Sequence, residues 1–407
     1  MTKSANAPVR HATMRERNLA VVLEHIARHQ PVTRARLAEL TGFTKTTVSN
    51  LVALLEGAGL VRGGEPVHEG ERGRPGVAVS LRGDGAAGLG LEVNVDYLAA
   101  CVLDLGKRVR YRHVISVDNR GREPDAVLAA LASLAAEAVS AAAAQGLSVA
   151  GAAVALPGML DREGGVVRNA PNLGWTDVPV TGVPGLDLAL PTEYDNEANL
   201  AALGELWFGG GAGLGDFVHV SGEIGIGAGI VVGGRVFRGA HGFAGELGHL
   251  VVDPGGSPCS CGGRGCLEQI AGQEAILRAA GVPGGGQGGG HGGGHGTDDP
   301  VGTLVARLRA GDPAALDAVE RAGRALGGAL ASVVNLIDPD TVVLGGVFSP
   351  LADWIRPPIT AVLAEGSGSL RQGVPPVEVS GLAEGAAVLG AAGLVVERVI
   401  AGPALLL

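Results

Sequence analysis

The chain has 407 residues, 46% of them hydrophobic, which is enough apolar material for two or three packed domains of about 150 residues each. Aromatic side chains make up only 3%, which argues against a broad surface for stacking nucleic-acid bases. No apolar run approaches the roughly 18 to 20 residues of a membrane span, and the polar N-terminus lacks the apolar core of a signal peptide, so we expect a cytoplasmic protein.

The net charge of -10 is distributed unevenly along the chain. Residues 1–82 carry 12 Lys and Arg against 7 Asp and Glu, a balance of +5, so the remaining residues carry 19 against 34, a balance of -15. A basic segment is attracted to phosphate groups, whereas an acidic body is repelled by them. The asymmetry therefore predicts a nucleic-acid-binding head on a body with a different task.

Apolar periodicity near the N-terminus predicts three helices. The first covers 14–28 and ends before Pro31. The second follows the N-cap residue Thr33, and Gly42 then allows a sharp turn before the third, over 45–56. The third helix buries one apolar stripe, formed by Val48, Leu51, Val52 and Leu55.

The exposed N-terminal half of the third helix carries short polar side chains and one cation, as a helix that reads base edges in a major groove requires. The predicted DNA contacts on this helix are Thr44, Lys45, Thr46, Thr47, Ser49 and Asn50. The alternative for each of these residues is a side chain that is exposed to solvent and contacts no DNA.

An alternating segment from Leu60 to Leu81 predicts a two-stranded wing. Arg72 and Arg74 lie at its tip and are predicted DNA contacts, either with phosphates or in a minor groove. Residues 1–82 are therefore predicted to be a winged helix-turn-helix DNA-binding domain, with a protein-binding three-helix module as the alternative.

From residue 83 onward, short β-rich runs alternate with helices, which predicts a mixed sheet covered by helices. The predicted strands cover 89–93, 98–103, 109–117, 149–156, 217–221 and 341–344, with a hairpin over 230–237, and the predicted helices cover 124–146, 196–208 and 313–336. Residues 281–297 are mostly glycine and include His291 and His295. They predict a flexible insertion, with metal capture by the two histidines as the alternative.

Three of the four cysteines lie close together, and a histidine lies ten residues before them. Three thiolates and one imidazole make a closed tetrahedral set, which is typical of a structural zinc site with no vacancy for an activated water. We predict that Zn²⁺ is bound by His249, Cys259, Cys261 and Cys266. The isolated Cys101 is predicted to be a small buried hydrophobic residue.

The run IGAGIVVGGRVFRGAHGFAGELGH over 226–249, followed by CSCGGRGCLE over 259–268, resembles the signature and zinc loop of the ROK family of repressors and sugar kinases. With a winged helix before it, the chain resembles the xylose and N-acetylglucosamine repressor branch. The resemblance implies a two-lobed, actin-like α/β domain of the sugar-kinase type, with a first lobe over 83–195 and a second over 196–407. The second lobe would contain the zinc loop, and its C-terminal helix would return to the first lobe.

The resemblance also implies a sugar site in the cleft between the lobes. Its implied sugar contacts are Asn172, Asn196, Glu197, Glu246, His249 and Glu268. Carboxylates and amides suit a polyol, because they accept and donate hydrogen bonds to neighbouring hydroxyls. Zinc would hold the loop that presents Glu246 and Glu268.

The motifs for phosphoryl transfer depart from the kinase pattern in three places. The first phosphate turn carries Asn94, Val95 and Asp96 where the kinases have Gly-Gly-Thr, so it places bulk and charge where phosphate should approach. The second turn has Glu223-Ile-Gly225 in place of Gly-Thr-Gly, and Glu197 stands where the catalytic aspartate is expected. Loss of kinase activity is therefore predicted.

Two functions remain in competition. The first is a sugar-responsive transcriptional regulator, most naturally a repressor, which binds an operator in double-stranded DNA as a homodimer or homotetramer. The second is a zinc-containing sugar kinase with an accessory DNA-binding head. The identity of the sugar, the operator sequence and the direction of the response do not follow from the sequence.

Overall fold

The protein is described by a computed structural model that covers residues 11–67, 76–183, 190–211, 213–283, 299–367, 373–382 and 385–406. Arg72, Arg74, His291 and His295 lie outside these residues.

The N-terminal elements form three helices and a small antiparallel sheet. They are α1 (His11–His29), β1 (Val32–Thr33), α2 (Arg34–Thr41), α3 (Lys45–Gly57), β2 (Val61–Val67) and β3 (Gly76–Leu81), with the strand order β1-β3-β2. Thr33 Oγ1 accepts a hydrogen bond from Arg36 N, and Thr44 Oγ1 accepts one from Thr47 N, so both predicted N-caps are present. Gly42 adopts φ 71° between α2 and α3, a conformation that favours glycine.

A five-stranded mixed sheet follows, in the order β11-β7-β4-β5-β6. Its elements are β4 (Ala86–Val93), β5 (Tyr97–Asp104), β6 (Val109–Ser116), α4 (Pro124–Ala144), β7 (Ser148–Leu156) and β11 (Thr192–Asn196). A three-stranded antiparallel sheet, β8 (Met159–Asp161), β9 (Val166–Ala170) and β10 (Trp175–Pro179), lies between β7 and β11 in the chain. Periodicity did not predict this small sheet, because its strands are short and only partly apolar.

A second five-stranded sheet has the order β14-β13-β12-β15-β16. Its elements and covering helices are α5 (Glu197–Phe208), β12 (Phe217–Gly222), β13 (Ile226–Val232), β14 (Arg235–Val236), α6 (Glu268–Ala271), α7 (Gln273–Ala279), α8 (Pro300–Arg309), α9 (Pro313–Ile337), β15 (Thr341–Gly346), α10 (Ala352–Ser367), β16 (Val377–Val379) and α11 (Ala386–Ala401). The antiparallel hairpin β12–β13 lies beside the parallel pair β12–β15.

Helices cover both faces of the first sheet, which explains why β4 is buried along its whole length. On one face, α4 contributes Leu128 and Leu131 to a core with Leu89 and Leu91. By length and composition α4 could cross a membrane, but its apolar side chains belong to this core. On the other face, α11 crosses β4 and packs along α5.

Glycines allow α11 to touch its neighbours backbone to backbone. A Cβ at Gly90 of β4 would lie 2.2 Å from Val388 O and 2.6 Å from Ala392 N, both in α11. A Cβ at Gly390 of α11 would lie 1.8 Å from Leu200 O in α5. Such distances leave no room for a side chain, so β4, α11 and α5 form one tightly packed layer.

Gly90→Ala is expected to destabilise the protein by about 1–3 kcal/mol or more, since the methyl group meets backbone atoms that have no rotamer to change. Gly328→Ala is the matched control, because Gly328 is exposed in α9 and its Cβ would meet nothing within 4 Å. That control should gain about 0.5–1 kcal/mol. Urea unfolding of both variants is the measurement, and equal stability of Gly90→Ala and the wild type would contradict the packing argument.

Candidate functional site

One cleft is lined by all six residues for which a sugar contact was predicted. They are Asn172, Asn196, Glu197, Glu246, His249 and Glu268. They come from the small sheet region, the start of α5 and the loops that follow β14, so the fold brings together residues that are distant in the sequence.

Asn196 is the N-cap of α5, and both the oxygen and the nitrogen of its side-chain amide form hydrogen bonds within the protein. Its Oδ1 accepts a hydrogen bond from Ala198 N at 2.8 Å, and its Nδ2 donates to Gly158 O at 2.9 Å. These bonds fix the start of α5 and thereby the position of Glu197, the first residue of that helix.

The carboxyl group of Glu197 is buried beside other acidic groups. Burial is the main reason that its pKa lies well above the usual range, and the charges of Glu92, Glu223 and Glu246 raise it further. Its Oε2 has no hydrogen-bond partner among the described residues. Burial also raises the pKa of Glu246, and the nearby His249 opposes that shift.

The two turns that were predicted to depart from the kinase pattern meet each other in the structure. Asn94 follows β4, Glu223 lies between β12 and β13, and Asn94 Nδ2 donates a hydrogen bond to Glu223 Oε2 at 3.3 Å. This bond connects the first five-stranded sheet to the second and occupies space between the two turns. Asn94 is 5% exposed, so its side chain is an internal part of the cleft.

A small cavity adjoins the cleft and is lined by Glu92, Tyr97, Glu197, His219 and Glu223, among others. Tyr97 and His219 were not singled out in the sequence, because one aromatic or one histidine in an apolar strand is usually part of a core. Burial lowers the pKa of His219 to about 4, and neither of its ring nitrogens has a hydrogen-bond partner among the described residues. None of the described residues lining this cavity is Lys or Arg.

The four predicted metal ligands form one cluster. Ligand atoms of His249, Cys259, Cys261 and Cys266 all lie within 4.8 Å of one another. Cys259 Sγ is 3.8 Å from His249 Nδ1, and Cys261 Sγ is 3.7 Å from Cys266 Sγ. Three thiols and an imidazole at these distances are close enough to hold a metal ion.

The metal cluster and the cleft share a wall. Cys259 Sγ donates a hydrogen bond to Glu268 Oε1 at 3.2 Å, and His249 belongs to the cluster and to the cleft lining. A change in the cluster therefore alters the position of two predicted sugar contacts.

The predicted DNA contacts on α3 lie on the face opposite its buried stripe. Thr44, Lys45, Thr46, Ser49 and Asn50 are exposed. Thr47 is half-buried, and its Oγ1 lies 2.9 Å from Thr44 Oγ1, so these two hydroxyls are already engaged with each other. Ser49 and Asn50 are the freer polar groups on this surface.

The ROK family model matches residues 88–398, and the MarR family model matches residues 20–70. The xylose repressor of Caldicellulosiruptor bescii is 29% identical over 396 residues, covering 97% of this chain and 98% of its own length.

Crystal structures of ROK family proteins resemble this chain. One, of a ROK family transcriptional regulator homologous to the E. coli MLC protein, has a TM-score of 0.78 at 29% identity and covers 97% of this chain and 98% of its own. Another, a ROK family glucokinase from Streptomyces griseus in complex with glucose and AMPPNP, has a TM-score of 0.63 at 29% identity and covers 76% and 98%. The predicted winged helix-turn-helix and sugar-kinase-type α/β domain are thus confirmed. The chain belongs to the ROK family, and a winged helix-turn-helix of the MarR type precedes its ROK domain.

Proposed function

We propose that the protein is a cytoplasmic, sugar-responsive transcriptional repressor whose cleft binds a sugar and whose winged helix binds an operator in double-stranded DNA. The observation that carries this proposal is the Asn94–Glu223 hydrogen bond, which fills the place between the two phosphate turns in a cleft that keeps its sugar-facing residues. Xylose is the first candidate effector, since similar proteins bear the name xylose repressor. Two-fold symmetry of an operator favours a homodimer or homotetramer.

The polar lining of the cleft supports a sugar ligand. Asn172 supplies an amide, and Glu197, Glu246 and Glu268 supply carboxyl groups, so hydrogen-bond donors and acceptors surround the cleft. Buried carboxyl oxygens without partners gain most from hydroxyl donors, because each unsatisfied group costs free energy.

The carboxyl groups in and beside the cleft also support the loss of kinase activity. A general base must accept a proton from the attacking hydroxyl, but the raised pKa of Glu197 favours its protonated form. The charge of Glu223 would also repel a triphosphate placed beside it. The alternative, a zinc-containing sugar kinase, requires that ATP displace the Asn94–Glu223 bond.

Zinc is the metal that best suits the cluster, since Cys₃His sets are typical of closed structural zinc sites. In this proposal the ion holds the loop that carries His249, Glu268 and the nearby Glu246. It has a structural role, and no reaction step passes through it.

A coupled ATP-consumption assay with xylose, glucose and N-acetylglucosamine distinguishes the two functions. We expect turnover no greater than that of the sugar-free background. Robust turnover that Glu197→Ala abolishes would establish the kinase and refute the proposed loss of activity.

Ser49→Ala is expected to weaken binding to a preferred operator by roughly 1–3 kcal/mol, about 5- to 150-fold, if Ser49 reads a base edge. The preferred duplex is selected from a randomised pool by the full chain, and affinity is measured by fluorescence anisotropy. Ser133→Ala is the matched control, because Ser133 is an exposed helical serine in α4 that bonds Ala129 O. Equal weakening on preferred and random duplexes would assign Ser49 to phosphate binding instead.

For Arg72 and Arg74, alanine variants should weaken binding to all DNA and flatten the salt dependence of that binding.

Cys261→Ser is expected to remove the metal and to weaken sugar binding about 10- to 100-fold while sugar-free DNA binding changes little. Metal content is measured by mass spectrometry and sugar affinity by calorimetry. Cys101→Ala is the control, because Cys101 is buried and lies outside the cluster, and it should keep the metal. Undiminished sugar binding by metal-free protein would show that the ion does not support the cleft.

A further inference from the structure

The helix α11 runs from the small cavity beside the cleft to the winged helix. Ala386 and Ala387, in its first turn, line the small cavity that contains Glu92, Glu197 and Glu223. Near its other end, Val396, Val399 and Ile400 share one hydrophobic cluster with Leu19, Val22, Leu23 and Ile26 of α1. At 16 residues, α11 spans about 24 Å between these two regions.

Because α11 packs backbone to backbone against α5 and β4, we expect a displacement of either element to displace α11 as well. At Gly204 of α5 a Cβ would lie 2.3 Å from Ala386 O, and the contacts at Gly90 and Gly390 are as close. Because α5 begins at Glu197, a shift of that residue moves a helix that is in backbone contact with α11. Packed interiors of this density transmit strain instead of absorbing it.

Glu92 lies where β4, β5 and α11 meet. It is 1% exposed, and its Oε1 accepts a hydrogen bond from Tyr97 Oη at 2.6 Å. Its Oε2 has no hydrogen-bond partner among the described residues, although Asn94 and the backbone of Val388 in α11 lie near enough to lower the pKa of Glu92. Burial raises the pKa of Glu92 to about 7. Burying a carboxyl group costs folding free energy, so an apolar residue at this position would favour stability.

The groups around Glu92 belong to different parts of the molecule. Asn94 bonds Glu223 on the second sheet, Val388 belongs to α11, and the ring of Tyr97 belongs to the hydrophobic cluster that includes the core of the winged helix. Glu92 therefore lies in the small cavity beside Asn94 and the first turn of α11, and through Tyr97 it is connected to the base of the DNA-binding head.

We propose that Glu92 is a positioning residue of the sugar response, which couples the arrangement of the cleft to the winged helix through Tyr97 and the first turn of α11. The inference rests on the proposed repressor function. Glu92 contacts neither sugar nor DNA in this scheme, so its loss uncouples the two binding events and leaves each one in place.

The test compares full-length variants. Tyr97→Phe removes only the hydroxyl that bonds Glu92, Glu92→Ala removes the acceptor, and Glu92→Gln keeps an acceptor oxygen of similar size. The matched control is Tyr111→Phe, which deletes a tyrosine hydroxyl that donates to Glu137 at 2.8 Å on the surface of the same lobe.

The first readout is the ratio of DNA Kd values with and without saturating xylose, or with whichever sugar of the panel binds the wild type. We expect Tyr97→Phe and Glu92→Ala to move this ratio at least about threefold toward 1, whereas sugar Kd and sugar-free DNA Kd stay within about twofold. Tyr111→Phe should match the wild type, and Glu92→Gln should recover part of the response. A wild-type ratio in Tyr97→Phe and Glu92→Ala, or a loss that only follows weaker sugar binding, would overturn the inference.

The second readout, amide hydrogen exchange, needs neither sugar nor DNA. In Glu92→Ala and Tyr97→Phe, exchange should rise at least about threefold in the first turns of α11 and in α1, but not in α9. Unchanged exchange in α11 and α1, or an equal rise of exchange in α9, would assign Glu92 a merely structural role and overturn the inference. Absence of any sugar response in the wild type would instead refute the proposed function, and exchange would still decide the coupling.

Discussion

The direct contact of α11 with β4 and α5 is the constraint on which the arrangement of the molecule depends. At Gly90, Gly204 and Gly390 a single Cβ would lie within 2.3 Å of a backbone oxygen. Backbone atoms cannot change rotamer, so the three elements keep one relative position or move together. This layer forms one side of the small cavity, and the C-terminal part of α11 packs against the core of the winged helix.

The cavity beside this layer concentrates carboxyl groups in a region of low dielectric. Glu92, Glu197 and Glu223 line it, and none of the described lining residues is a Lys or Arg that could neutralise them. The charge of Glu223 disfavours a polyphosphate in this site. Glu197 lines both the cavity and the cleft, where it favours a polyol because hydroxyl groups donate to carboxyl oxygens, and its raised pKa disfavours a role as general base. Glu197 thus supports both halves of the proposed function, sugar binding and loss of phosphoryl transfer.

Local features of the fold and site could be predicted from the sequence, whereas contacts between distant elements could not. The caps at Thr33 and Thr44, the turn at Gly42 and the cluster from Cys259 to Cys266 depend on neighbours in the chain, so spacing was sufficient to predict them. The predicted sugar contacts came from a family resemblance, and the fold places all of them in one cleft. By contrast, Asn94 and Glu223 are 129 residues apart, and the partners of Tyr97 depend on how α11 returns to the first sheet. No local periodicity contains that information.

A sugar response also requires that the ligand favour one arrangement of the cleft over another by a few kcal/mol. Glu197 supplies a physical source for this difference, because its Oε2 lacks a partner among the described residues and its burial raises its pKa. A hydroxyl donor that reaches Glu197 relieves part of this cost, so a sugar favours the arrangement of the cleft in which the two meet. Because α5 starts at Glu197 and α11 is in backbone contact with α5, a displacement of this residue would be passed to α11. In a dimer, a small shift of each α11 changes the spacing of the two DNA-reading helices, and operator binding is sensitive to that spacing.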